Sequence, residues 1–417
     1  MDGLSALIFN LIGFIILFFY SLKKGNNNLG FLVTSIYAVT ALFAPIYYEM
    51  PLSMFNNITL FPFIYYLVLF FIICLPLYKF DRLENYNLKY NLKVINVICL
   101  IALVVSILPF IELLFKLPSL LSGNVSANFS EVHDARSDSE MAMHRFQFSF
   151  LSKILYRFVL LINEFSILVL FVLIKEKKLI SYKGLGIILV ILVKNLYYFV
   201  NSSRSSLLWT ILLFGVAFLM FLPILDKGLV KKIKKIGFIL FVLLFGMLLT
   251  ITLARQAVYT ETKGSDFTLA YFMIRYAGEG FLNFNEYCFD LKSHLHGQYT
   301  LHFFRELLGM TTIDWDLSGV LKAGSNLGAP TMQFYTFLGF FIFDFGPLGT
   351  FILWTVLSFY TYNFLVRRKF SFSNLLLFFT YVKILITGTT IYMYAGPGFL
   401  YIPLLIIISF IFKLFKM

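Results

Sequence analysis

Three arginines at the ends of apolar runs are the residues best placed to do chemistry. Arg204 lies in the turn "NSSRSS", Arg255 closes an apolar run, and Arg275 lies in "AYFMIRYAGEGFLNFN". A guanidinium stays charged at any relevant pH and binds phosphate through two parallel hydrogen bonds. A cluster of the three is predicted to bind a diphosphate leaving group without a metal ion. The alternative for Arg204 and Arg255 is snorkelling to lipid head groups.

A carboxylate follows Arg275 at helical spacing. Glu279 lies four residues and Glu286 eleven residues after the arginine, so on a helix all three would share roughly one face. Glu279 is therefore either a salt-bridge partner of Arg275 or a catalytic base. Gly278 and Gly280 argue against a continuous helix here.

Other candidate residues lie in the polar stretches. His133 titrates near neutrality and is a candidate for accepting a hydroxyl proton, although an ordinary role in a loop is the competing interpretation. The side chains that we expect to contact a sugar or an acceptor are Arg136, Tyr276, Asn283 and Trp315.

The elements that must position these residues are membrane helices. The chain has 417 residues, of which 60% are hydrophobic and 13% charged, unlike a soluble domain. Repeated apolar runs predict an all-α polytopic membrane protein of about eleven spans in one transmembrane domain, residues 1–417. The predicted spans are 3–20, 30–48, 57–78, 94–115, 151–174, 184–200, 205–225, 236–254, 347–366, 372–392 and 398–415.

Basic residues predict the orientation of these spans. Most of the 34 lysines and arginines fall in alternate short connections and in the C-terminal tail. The positive-inside rule places these connections in the cytoplasm, with the N-terminus outside and the C-terminus inside. The net charge of +13 is thus explained by topology, and no nucleic-acid partner is expected.

Two long segments fall on the predicted outer side. Residues 116–150 form a first outer loop, and residues 255–346 form a large one between the eighth and ninth spans. Within it, 330–343 is apolar but too short to span a membrane, and is expected to be an interfacial or re-entrant helix. Loops of this length usually carry function.

Cofactor and metal signals are missing from the sequence. Cys74, Cys99 and Cys288 are far apart, and neither a phosphate-binding glycine loop nor an HExxH motif occurs. We therefore expect no cofactor and no metal.

Several short motifs resemble the O-antigen polymerase (Wzy-type) family of oligosaccharide repeat-unit polymerases. They are "NSSRSSLL", "RYAGEGFLNFN" at 275–285, and "NLGAPTMQFYTFLGFFIFDFGPLGTF", with Asp344, Phe345, Gly346 and Gly349 as D-F-G-x-x-G. The resemblance implies a GT-C-like fold and a metal-independent glycosyltransferase of the bacterial inner membrane. Its substrates would be undecaprenyl-diphosphate-linked oligosaccharides, and a chain-length regulator would be a possible partner.

Two other functions stay open at this point. A flippase for the same lipid-linked sugars would need charged residues within its helices, and Lys194, Lys383, Glu112 and Glu164 lie in or near apolar spans. An O-antigen ligase would share the fold and differ in its acceptor. A membrane acyltransferase is disfavoured, because none of the five histidines lies in a predicted span.

Overall fold

The structure is a computed structural model and describes most of the chain. The described residues are 2–23, 28–51, 53–84, 86–121, 146–179, 181–201, 203, 205–263, 268–289, 291, 293–310, 323, 326–329, 335–390, 393–394 and 401–414.

Helices account for nearly all of this structure. Their bounds are α1 Gly3–Leu22, α2 Leu29–Tyr48, α3 Leu60–Asp81, α4 Leu92–Leu121, α5 Phe150–Lys175, α6 Tyr182–Val200, α7 Ser205–Phe221, α8 Lys227–Lys263, α9 Leu269–Tyr287, α10 His302–Leu307, α11 Thr336–Tyr360, α12 Phe372–Thr387 and α13 Tyr401–Leu414. A 3₁₀ turn, Leu222–Ile224, follows α7, and a π-helical turn, Thr361–Leu365, follows α11. Strands β1 (Asn87–Lys89) and β2 (Lys369–Ser371) pair in parallel, with Leu88 opposite Phe370.

Length and hydropathy confirm a helical multi-pass membrane protein. Within the described part of the chain, nine helices are long and apolar enough to cross a membrane. Two further apolar helices, Phe372–Thr387 and Tyr401–Leu414, are shorter and coincide with the last two predicted spans. The number eleven stays a prediction.

Polar caps fix where several helices begin. The Asp2 carboxylate accepts the Ser5 N–H at the start of α1, and Ser149, Ser181 and Ser371 cap α5, α6 and α12 in the same way. Such caps satisfy N–H groups that the first turn of a helix leaves without a partner.

The chain packs as two compact units. Unit 1 contains Met1–Lys89 and Ala270–Lys413, and unit 2 contains Tyr90–Leu269 with the last four residues. In unit 1 an aromatic core joins the first three helices to α9. The Phe281 ring of α9 lies 5.2 Å from the rings of both Phe14 and Tyr66, and Tyr37 packs 4.3 Å from Phe70.

Helix α11 is two half-helices joined by a reversal. Gly346 has φ 67° and ψ 173°, and Pro347 starts the second half. The rings of Phe337 and Phe341 lie 4.9 and 5.1 Å from Trp354. Residues 337 and 354 would be about 25 Å apart in a straight helix, so the halves fold back on each other.

The first half of α11, residues 336–345, overlaps the apolar stretch 330–343. It is buried through Asp344, as a re-entrant segment would be, whereas an interfacial helix would leave one face exposed. Residues 330–334 lie outside the described part of the chain, and the depth of the half-helix in a membrane stays a prediction.

Candidate functional site

An ion pair on α9 is the candidate site that the structure describes most fully. The Arg275 Nε donates to Glu279 Oε2 at 2.8 Å, and Nη2 donates to Oε1 at 3.3 Å. The Arg275 side chain is 38% exposed, while that of Glu279 is 10% exposed. The hydrogen bond to Glu279 raises the pKa of Arg275 further above its usual value. A buried carboxylate thus orients a guanidinium whose surface is partly open.

Two buried tyrosines line this ion pair. Tyr47 of α2 and Tyr271 of α9 pack edge to face with ring centroids 6.1 Å apart. Both are almost fully buried, and the charges of Arg275 and Glu279 act on the Tyr47 hydroxyl. Their hydroxyl groups give the ion pair polar neighbours inside unit 1.

Helix α9 is continuous, so the expectation that Gly278 and Gly280 interrupt it is wrong. A Cβ on Gly278 would lie 2.6 Å from the Phe43 carbonyl oxygen and 2.9 Å from Ala44 Cα of α2. Gly278 is therefore needed for two helices to cross in backbone contact. The crossing fixes the helix turn that carries Glu279.

The C-terminal end of α9 holds the segment that leads into α3. Thr59 N–H donates to Asn285 Oδ1 at 2.8 Å, and Asn285 Nδ2 donates to the Thr59 carbonyl at 2.7 Å. Asn56 N–H donates to Glu286 at 3.2 Å, and partial burial raises the pKa of that carboxyl. Asn285 was not among the predicted residues, because its partner lies 226 positions away.

The other predicted residues on α9 have distinct environments. Asn283 is buried within unit 1, and Tyr276 is 37% exposed. Of the two, only Tyr276 presents a substantial surface for a sugar to contact. Their binding roles stay predictions.

Arg255 does not end its helix. The eighth span was expected to end at residue 254, but α8 continues through Arg255 to Lys263. The extension takes in part of the predicted outer loop, and α9 and α10 occupy more of it. The Arg255 side chain lies outside the described part of the chain, and so do Arg204, His133, Arg136 and Trp315. The proposed cluster of three arginines thus stays a prediction.

The helix that follows Arg204 is anchored at its first turn. Helix α7 starts at Ser205, where the seventh span was predicted to start. The Ser206 and Thr210 hydroxyls both donate to Asn195 Oδ1 of α6, at 3.2 and 3.1 Å. These bonds fix the beginning of α7 relative to α6 within unit 2.

Asp344, from the D-F-G-x-x-G motif, anchors a loop. It is fully buried and accepts hydrogen bonds from the Tyr299 N–H at 3.1 Å, the Thr300 N–H at 2.6 Å and the Thr300 hydroxyl at 2.7 Å. Gly346 of the motif permits the reversal because its φ of 67° is one that residues with a Cβ rarely adopt, and a Cβ there would also lie 2.9 Å from His294 Nε2. The motif thus has a structural explanation.

The charged residues noted within apolar spans differ in their environments. The Glu112 carboxylate accepts from Ser149 N–H at 3.0 Å and from the hydroxyls of Ser149 and Ser152 at 2.6 Å each, so it caps the start of α5. Glu164 and Lys383 are buried in α5 and α12. Among the described residues, no group of three His, Cys, Asp or Glu side chains is arranged to hold a metal ion.

Comparisons with protein-family models, with curated proteins and with solved structures give no match to this chain.

Proposed function

We propose that this protein polymerises undecaprenyl-diphosphate-linked oligosaccharide repeat units into O-antigen or capsular polysaccharide. The reaction takes place at the periplasmic face of the bacterial inner membrane. This placement uses the orientation predicted from the basic residues, with the N-terminus outside. The observation that carries the proposal is the partly exposed Arg275 guanidinium, oriented on α9 by a buried carboxylate. The motif resemblance supplies the substrate class.

The reaction transfers a glycan from one lipid carrier to another. A hydroxyl of the acceptor sugar attacks C1 of the first sugar of the donor, and a new C–O bond forms. The bond from C1 to the diphosphate oxygen breaks, and its electron pair leaves with the lipid diphosphate. In this proposal Arg275, together with Arg204 and Arg255, stabilises the charge that develops on the diphosphate.

The acceptor proton requires a base, and Glu279 and His133 are the proposed candidates. Both Glu279 oxygens already accept hydrogen bonds from Arg275. This geometry supports a second role for Glu279, in which it holds the guanidinium in place. Arg136, Tyr276, Asn283 and Trp315 are the proposed contacts to sugar and acceptor, and a chain-length regulator is a proposed partner.

The test is the glycan ladder of cells that carry Arg275→Ala or Arg275→Lys in place of the wild-type protein. We expect long chains to be lost in the alanine variant and strongly reduced in the lysine variant, because lysine lacks the planar fork. Arg204→Ala and Arg204→Lys should show the same effects as the corresponding Arg275 variants. Normal chain length and amount in all four variants would contradict the proposal. Arg367→Ala, on an exposed arginine near β2, is the matched control.

A flippase is the second candidate, because Lys383 and Glu164 are buried in apolar helices. Deletion of the protein separates the two functions. A polymerase mutant still displays a single repeat unit on its surface, whereas a flippase mutant displays none. An O-antigen ligase mutant would accumulate lipid-linked polymer that is not transferred.

A further inference from the structure

A row of exposed apolar side chains lies on the loop that Asp344 anchors. Helix α10 and the residues next to it carry this row, and all of them belong to unit 1. Each side chain is between 42% and 73% exposed, although α10 has only six residues and cannot cross a membrane. Exposed apolar surface of this kind marks a contact with a partner or with a membrane. The row, here named the apolar rim, consists of Leu301, Phe304, Leu307, Leu308 and Met310.

The apolar rim is one side of an amphipathic turn. At the helical repeat, its first four residues fall within an arc of about 120°, whereas His302, Arg305 and Glu306 fall on the opposite side. The His302 side chain is buried. Arg305 Nη1 donates to the His296 carbonyl at 2.6 Å, and Nη2 donates to the Met310 carbonyl at 2.8 Å. His302 and Arg305 therefore bind within the protein, and the rim faces away from it.

Hydrogen bonds fasten this loop to the first half of α11. The Leu295 N–H donates to the Phe343 carbonyl at 2.8 Å, and the Tyr299 N–H donates to the Asp344 carboxylate at 3.1 Å. The Tyr299 ring also packs 5.9 Å from the ring of Phe340. The loop is thus attached immediately before the reversal, and the position of the rim follows from that of the reversal.

The length of the following span predicts that the reversal lies at a membrane surface. The second half of α11 and the π-helical turn after it cover residues 347–365, which extend for about 28 Å at the helical rise. The hydrocarbon core of a bilayer is about 30 Å thick, so a span of this length has its ends at opposite surfaces. Leu348, at the start of the span, is 74% exposed, as a side chain that faces lipid would be.

We propose that the apolar rim inserts among the lipid acyl chains at the membrane surface next to the reversal. The partner is the bilayer itself, because a loop fastened at this point adjoins the lipid that the span after it faces. An amphipathic turn at such a surface buries its apolar side among the acyl chains. The loop that Asp344 holds is then anchored by the protein on one side and by lipid on the other. This inference does not rest on the proposed function.

Site-directed spin labelling measures the depth of the rim. The three native cysteines are buried, so a label is directed to a new surface cysteine. Leu307→Cys and Leu308→Cys place the label on the rim, and Glu306→Cys, on the opposite side of the same turn, is the matched control. Each labelled protein is reconstituted in bilayers of phosphatidylethanolamine and phosphatidylglycerol. Relaxation by oxygen, which concentrates among acyl chains, is compared with relaxation by a polar nickel complex, which stays in water.

We expect oxygen to relax the labels at positions 307 and 308 several-fold more strongly than the nickel complex does. Leu348→Cys is the reference for lipid, and the label at position 306 should show the reverse preference. Stronger relaxation by nickel at 307 and 308 would overturn the inference, because the rim would then lie in water. Weak relaxation by both reagents would also overturn it, because the rim would then be covered by protein.

Quenching by lipids that carry bromine on their acyl chains gives a second measurement, which needs no label. Leu307→Trp adds one tryptophan to the three of the chain. The added emission, taken as the difference from the parent protein, should be quenched strongly, and that of Glu306→Trp much less. Equal quenching in the two variants would contradict the placement of the rim. Neither measurement uses a lipid-linked sugar, so failure of the proposed function would leave both results unchanged.

Discussion

Two buried carboxylates of unit 1, Glu279 and Asp344, differ in what they hold. Asp344 is satisfied by backbone N–H groups and a hydroxyl of one loop, all of them inside the protein. Glu279 is satisfied by a guanidinium that is itself 38% exposed. The first arrangement fixes the chain, whereas the second fixes a charge that a ligand can reach. Burial alone does not distinguish a structural acid from one that serves a site; the exposure of its partner does.

Removing Asp344 should have the largest effect on stability. Asp344→Ala removes the acceptor of the buried Tyr299 N–H and of the partly buried Thr300 N–H, at a cost of about 1–3 kcal/mol for the buried group and less for the other. We expect a lower melting temperature in detergent and poor recovery of folded protein. Asp344→Asn keeps one acceptor oxygen and should lose less. If Asp344→Ala melted like the wild type, the anchoring role would be wrong.

Gly278→Ala should have the second-largest effect on stability. The added methyl group would lie 2.6 Å from the Phe43 carbonyl, and overpacking of this kind costs about 1–3 kcal/mol. Because α9 must shift, long-chain polymer should decrease as well. Gly215→Ala in α7 is the matched control, since a Cβ there meets open space and alanine favours the helix. Equal melting temperatures of the two variants would show that the crossing tolerates a side chain.

Glu279→Gln should change stability by less than about 1 kcal/mol, because its partner is partly exposed. Its effect on activity distinguishes the two roles of the residue. If Glu279 positions Arg275, the glutamine variant should keep part of the polymerase activity, raise the KM for the donor and keep the pH profile. If Glu279 is the base, kcat should collapse and the acidic limb of the pH profile should disappear.

Replacing Glu286 should have the smallest effect on stability, and that effect should depend on pH. Burial raises the pKa of this carboxyl in the folded state above its ordinary value of 4.5. Its stabilising contribution is therefore complete below about pH 4.5 and is lost as the pH rises through the folded-state pKa.

Glu286→Gln removes this pH dependence and keeps an acceptor for Asn56 N–H. Between about pH 4 and pH 7, the free energy of unfolding of the variant should rise relative to that of the wild type by less than about 1 kcal/mol. The difference in melting temperature between the two proteins should rise with it. Glu84→Gln, at an exposed position, is the control. If the melting temperatures of variant and wild type differed by the same amount across this pH range, the raised pKa of Glu286 would be contradicted.

Local patterns predicted the parts of this protein that depend on neighbours in sequence. Hydropathy gave the helical membrane fold, and the i, i+4 spacing of Arg275 and Glu279 predicted their ion pair. Gly278 was wrongly predicted to interrupt the helix. A glycine is required there because the carbonyl of a residue on α2, far away in the chain, lies too close for a side chain. Asp344 and Asn285 have partners 44–45 and 226 residues away, so no local pattern reveals their roles.

Unit 1 is interrupted in the sequence by unit 2, and this order has a consequence for biosynthesis. Helices α1–α3 emerge from the ribosome first, but α9, α11 and α12, which complete their core, follow only after residue 269. Unit 2 is nearly continuous in the chain and can assemble while unit 1 is still incomplete. The parallel pair of β1 with β2 cannot form until residues 369–371 appear, and α12 follows directly after them. Truncated chains that stop before this point should therefore be recognised by membrane quality control and degraded.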